Sequence, residues 1–165
     1  MAILLFSQEP KKEKSLGKLQ RPPKIRIVYS RKQKDEDRPK IGSSDDVVNL
    51  FRELWSSQIE IREELIVLLL DRSNRVLGYQ LLSKGGTTGT IADLKLIFSV
   101  ALEALASAII IAHNHPSGNL KPSQADIKLT ERIQEVGKQL DIPLLDHIIL
   151  TKESYYSFAD EGNLF

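Results

Sequence analysis

Ala108-Ile109-Ile110-Ile111-Ala112-His113-Asn114-His115-Pro116-Ser117-Gly118 runs from an apolar segment into two imidazoles. The residues from Ala108 to Ala112 have the length and composition of a buried strand. Where an extended segment ends, side chains at i and i+2 leave on the same face, so His113 and His115 can converge on one point. A second polar cluster follows at Ser123-Gln124-Ala125-Asp126. Two imidazoles and a carboxylate form the ligand set of a divalent metal site with an open position. The plainer alternative is a pair of structural histidines. Ser123-x-x-Asp126 also reads as a capping box, with Ser at the N-cap of a helix and an acid three residues on. The two readings of Asp126 are compatible, because a carboxylate in the first helical turn faces whatever precedes the helix, here the histidine segment.

Outward from this stretch, the pattern alternates helices and strands. Ser43 and Ser44 offer N-caps, and Val47, Val48, Phe51, Leu54 and Trp55 follow at helical spacing, which predicts an amphipathic helix over 45–57. Residues 63–70 read as a strand buried on both faces, 71–74 as a turn, and 76–82 as the return strand of a hairpin. Gly85 to Thr90 reads as a loop, and a second helix is expected at about 93–106. Ser123 caps a third helix whose apolar face is Ile127, Ile133, Val136 and Leu140. Strands at 146–150 and 155–158 complete the chain. The order predicts an α/β domain with a mixed β-sheet and flanking helices.

The chain has 165 residues, enough for one domain and a tail, with ordinary apolar (41%) and charged (27%) content. It has no cysteine, which excludes disulfides, Cys-ligated zinc and the Cys-dependent zinc deamination of nucleobases. The longest apolar stretch, Leu65 to Leu70, is too short to span a membrane. Ala2 to Phe6 lacks the features of a signal peptide, so a cytoplasmic protein is expected. Residues 11–40 carry 12 Lys/Arg against 4 Asp/Glu, whereas residues 41–165 carry 11 against 17. The expected organisation is therefore a basic, largely disordered leader at 1–40 and a mildly acidic domain at 41–165. Such a leader can contact DNA through residues 11–40 by neutralising phosphates, or remain a solvated tail.

Metal-assisted hydrolysis also needs a base for the attacking water. Glu63 and Glu64 stand where the first strand begins, and adjacent strand residues point to opposite faces, so only one can serve. His147, beside Asp146 on an apolar strand, reads as a core histidine or a partner of a ligand rather than as a ligand itself. A two-His-one-carboxylate iron site is a rival assignment for the metal.

The spacing His113-x-His115, seven residues, then Ser123-x-x-Asp126 resembles the JAMM signature of the JAB/MPN metalloprotease superfamily. The surrounding text is closer still to its RadC branch: Leu68 to Asp71, Asn74 to Leu77, Ala112 to Gly118 and Leu144 to His147. The resemblance covers about residues 43–162 and implies a JAB/MPN, cytidine-deaminase-like architecture. The helix-hairpin-helix domain usual in RadC-like proteins is not expected here, because the stretch before residue 41 leaves no room for one. Asn114 stands where eukaryotic JAMM proteases have Ser or Thr, and the RadC branch has Asn there.

Carried over by position, the resemblance implies that His113, His115 and Asp126 hold one Zn2+, with a water as fourth ligand. It makes Ser123 the stabiliser of the oxyanion and Glu63 the general base, with Glu64 its neighbouring alternative. The implied activity is hydrolysis of a peptide or isopeptide bond in a protein or peptide substrate. The alternative is a DNA-repair-associated accessory protein that binds nucleic acid through its basic arm, with a metal site that need not be catalytic.

Overall fold

The computed structural model describes residues 37–85 and 92–164. Their element order is α1 (Ser44–Leu54), β1 (Glu64–Leu70), β2 (Val76–Lys84), α2 (Leu94–Glu103), β3 (Ala108–Asn114), α3 (Gln124–Gln139), β4 (Leu144–Leu150) and β5 (Tyr155–Ser157). The five strands form one sheet in the order β2-β1-β3-β4-β5. The β3–β4 pair is parallel and the other three pairs are antiparallel. This is the mixed α/β sheet that the pattern predicts.

β1 and β3 lie at the centre, and all their residues are buried. Successive strand side chains alternate between faces, and the two faces are covered differently. Ile66, Leu68, Leu70, Ile110 and Ala112 pack with Val47, Val48 and Phe51 of α1. On the other face, Leu65, Val67, Ile109 and Ile111 pack with Ile97, Phe98 and Ala101 of α2 and Ile133 of α3. Each fully buried Leu, Ile or Phe contributes about 1.5–3 kcal/mol of transfer free energy, so the two-sided burial of β1 and β3 makes them the rigid base for whatever their ends carry.

The local signals act largely as expected. Ser43 Oγ accepts from Asp46 N at 3.3 Å, while the Asp46 carboxylate accepts from Ser43 N and Gly42 N. α1 nevertheless stops at Leu54 rather than residue 57, because Trp55 takes an extended backbone with ψ 147°. The segment after it is folded into turns held by Asn114, described below. α2 also ends early, at Glu103, and β3 runs on through His113 and Asn114. Most of the loop expected at Gly85 to Thr90 falls outside the described residues.

Of the leader, only residues 37–40 are described, and they are docked against the domain. Arg38 is buried and its guanidinium lies 2.7 Å from the Asp71 carboxylate. Val76 N donates to Pro39 O, and Lys40 bridges Arg75. Among the described residues, no helix is long and apolar enough to cross a membrane.

Candidate metal centre

His113 is the penultimate residue of β3, and His115 follows just past the strand. The chain then turns at once. Gly118 takes φ +76°, a left-handed conformation open to glycine, and its N–H donates to His115 O at 3.0 Å. This turn folds residues 115–123 back over the carboxyl end of β3, so that the N-terminus of α3 faces the imidazoles. Ser123 Oγ accepts from Asp126 N at 3.2 Å, and the Asp126 carboxylate accepts from Ser123 N at 2.7 Å. The capping box is thus formed, and it holds the Asp126 carboxylate toward the histidines.

The three groups meet. His113 Nε2 lies 2.9 Å from His115 Nε2 and 3.1 Å from Asp126 Oδ1, and His115 Nε2 lies 3.6 Å from Asp126 Oδ2. Three ligands at about 2.0–2.1 Å around a tetrahedral zinc stand about 3.3 Å apart, and the observed separations bracket that spacing. His115 Nδ1 lies 2.6 Å from Asn119 O. A carbonyl has no proton to give, so Nδ1 donates, and neutral His115 turns a lone pair on Nε2 inward. Imidazole lone pairs and a carboxylate so close together repel unless a cation or a proton lies between them. The group can therefore hold a metal ion.

The electrostatics agree. Burial works against the charge of Asp126, but the imidazoles of His113 and His115, with Ser123, outweigh it and hold its pKa well below the usual carboxylate range. Asp126 in turn raises the pKa of His115, against partial burial and with help from Asn119 O.

Strand register separates Glu63 from Glu64. Leu65 pairs with His113 across β1 and β3, and antiparallel partners share a face. Glu63, two residues before Leu65, is therefore on the histidine face. It lines the same cleft of about 500 Å³ as His113, His115, Ser123 and Asp126. Glu64 points the other way, is buried, and lies 3.6 Å from Lys84 Nζ. Lys128 and Arg132 of α3 also line the cleft. A larger hollow of about 650 Å³ lies at the opposite end of the sheet, around Asp71, Leu105 and Pro143, and contains neither histidine of the pair.

His147 is fully buried on β4, with its Nε2 2.8 Å from His113 Nδ1 and its ring stacked on Phe158. It reaches the centre through His113 and is not one of the three converging groups. Burial pushes its pKa well below the ordinary imidazole range, which favours the uncharged ring. Asp146 faces away, accepting from Ser157 Oγ at 2.6 Å and Ala159 N at 3.0 Å.

Two residues have roles that the sequence reading did not assign. Asn114, between the two histidines, is fully buried. Its Oδ1 accepts from Glu64 N at 2.7 Å, and its Nδ2 donates to Ile59 O and Arg62 O at 2.6 and 2.8 Å. It thereby fixes the backbone on both sides of Glu63. Thr130 is buried on α3, where its hydroxyl lies 2.6 Å from His147 Nδ1. A signal for Thr130 existed, since a polar residue stands on the otherwise apolar face between Ile127 and Ile133.

A family profile described as the RadC-like JAB domain matches residues 41–163. The chain is 45% identical over 139 residues to a "UPF0758 protein" of Flavobacterium johnsoniae, with 82% of this chain and 60% of that protein covered. It is 42% identical over 140 residues to a "UPF0758 protein" of Porphyromonas gingivalis, with 84% and 62% covered. A "UPF0758 protein" of Methanosarcina mazei is 38% identical over 128 residues, with 78% and 55% covered. The chain spans about 60% of the length of the first two relatives.

Proposed function

The chain belongs to the RadC-like JAB domain family, and on that premise we propose that it is a zinc-dependent hydrolase of an amide bond in a peptide or protein. The observation that carries this reading is the meeting of His113, His115 and Asp126 in one cleft with Glu63 and Ser123. When bound there, zinc would supply Lewis acidity and lower the pKa of a water toward ~7.

The chain's own residues supply the rest. His113, His115 and Asp126 would hold the ion. The Glu63 carboxylate, on the same strand face as His113, accepts the proton of the attacking water and returns it to the departing amine. The Ser123 hydroxyl accepts from Asp126 N as the helix cap, which leaves its own proton to donate to the oxygen that gains charge. A single oxyanion donor of this kind is worth about 2.7–4 kcal/mol of transition-state stabilisation in other enzymes. Lys128 and Arg132 at the rim give the cleft a cationic border for substrate.

The test compares wild type with Glu63→Gln against a broad peptide library with zinc present. Cleavage by wild type, and a loss of about 100-fold or more in the variant, is expected. Equal cleavage by both proteins would remove Glu63 as the base. Metal analysis of protein purified without added metal should find about one zinc per chain, and iron in its place would overturn the zinc assignment.

A further inference from the structure

We infer that Thr130 and His147 are positioning residues that lock His113 in the tautomer able to bind a metal. The inference rests on the reading of the histidine–aspartate group as a metal centre. It follows from accounting for every proton in one buried chain of hydrogen bonds.

The chain starts at a group that cannot donate. Thr130 Oγ1 lies 2.8 Å from Asp126 O, a backbone carbonyl, so the threonine hydroxyl proton lies on that line. A hydroxyl has only one proton. Thr130 Oγ1 therefore accepts in its second contact, the 2.6 Å approach of His147 Nδ1, and the His147 proton sits on Nδ1. His147 is fully buried, with a hydroxyl and an imidazole as its ring-nitrogen partners, so burial favours the uncharged ring and its Nε2 carries a lone pair. That nitrogen lies 2.8 Å from His113 Nδ1, so His113 donates from Nδ1 and is left with a lone pair on Nε2. Nε2 is the atom that faces His115 and Asp126.

The opposite polarity would disable the centre. If Thr130 donated to His147, each imidazole would reverse, and His113 would present an N–H to the metal position. The Asp126 carbonyl selects the working direction, and Asp126 is also the carboxylate ligand. One residue thus contributes its side chain to the centre and, through Thr130 and His147, its backbone to the tautomer of a second ligand. Hydrogen bonds to the far nitrogen of a ligating histidine fix its tautomer and orientation. Here that partner is another histidine, which has no fixed polarity until a third group sets it.

Thr130→Val removes the hydroxyl at nearly constant shape, whereas Thr130→Ser keeps it. Zinc affinity, read by competition with a chromophoric chelator, should fall about 10–100-fold in the valine variant and return to within a few-fold of wild type in the serine variant. Thermal melts of the metal-free proteins identify any loss of fold. Ring-nitrogen NMR of the metal-free full chain, which has three histidines, should show His113 and His147 both protonated at Nδ1 and bare at Nε2. Wild-type affinity in a folded Thr130→Val protein, or an Nε2–H tautomer of His113 in wild type, would overturn the inference. Wild type that bound no zinc would sink the metal reading alone, and the His113 tautomer would still decide the relay.

Discussion

Asn114 shows how much one side chain can determine at this site. Its three hydrogen bonds join the end of β3 to the segment that carries Glu63. Alanine there would strand the Glu64 N–H and two carbonyls. With about 1–3 kcal/mol for each buried group left unsatisfied and partial relaxation, Asn114→Ala should lower unfolding free energy by about 2–4 kcal/mol. Urea denaturation checks this, and an unchanged midpoint would show that Asn114 does not hold the segment. His115 carries a different prediction. Its pKa is raised, chiefly by Asp126, so protonation of His115 should stabilise the metal-free fold most fully below the ordinary value of 6.5. That contribution is lost as pH rises through the raised folded value. A metal must displace this proton, so zinc affinity should climb through the same window and level off above it. Chelator competition between about pH 5.5 and about pH 8 reads the slope, and a flat profile would place no displaced proton on His115.

At the scale of elements, α2 and α3 end in the same device. Ala106 N donates to Ala101 O, and Ile142 N to Gly137 O, both at 2.9 Å. Each is the long-range bond of a Schellman cap, which places the intervening residue in the left-handed region. Those residues are Leu105 (φ 52°) and Asp141 (φ 55°), not glycines. Leu105 is 85% exposed and gains little from its side chain, so Leu105→Gly should stabilise the protein by about 0.5–1 kcal/mol. Gly137→Ala should do the reverse. A Cβ at Gly137 would stand 2.5 Å from Ile142 O, a backbone atom held by the cap itself. The clash outweighs alanine's helix propensity of about 1 kcal/mol, for a net loss of about 1–3 kcal/mol. Thermal melts of the two variants should move in opposite directions. These caps also show what local sequence conveys. The N-caps at Ser43 and Ser123 are written in residues three apart and could be read, whereas Leu105 and Asp141 give no glycine signal, so both C-terminal turns were invisible. Likewise, periodicity placed Leu140 on the buried face of α3, although it is exposed, and passed over Thr130, which is buried. Thr130 is needed there because of His147, on a strand far along the chain, and helical spacing carries no information about that strand.

Across the whole molecule, the candidate metal centre depends on topology that short-range pattern only partly encodes. The apolar run into His113 and the capping box at Ser123 made the convergence of His113, His115 and Asp126 legible. The choice of Glu63 over Glu64 from the residues alone required the β1–β3 register, in which Leu65 meets His113. Charge is the other property of this scale. Residues 11–40 hold 12 Lys/Arg against 4 Asp/Glu, while residues 41–165 are net acidic. Affinity for DNA, if present, should therefore be supplied by the arm and resisted by the domain. A segment making about 6–10 phosphate contacts loses about 10³–10⁵ in affinity between about 50 and about 200 mM salt. Binding of the full chain to a duplex oligonucleotide should follow such a slope and disappear when residues 1–36 are deleted. The deletion stops at 36 because Arg38 pairs with Asp71 and the Pro39 carbonyl accepts from Val76 N, so a longer truncation would disturb the fold as well as the charge. Zinc content should be the same in both proteins, since His113, His115 and Asp126 all lie outside the arm. DNA affinity that survived the deletion would move the contact to the domain, where the cleft rim at Lys128 and Arg132 would be the next place to substitute.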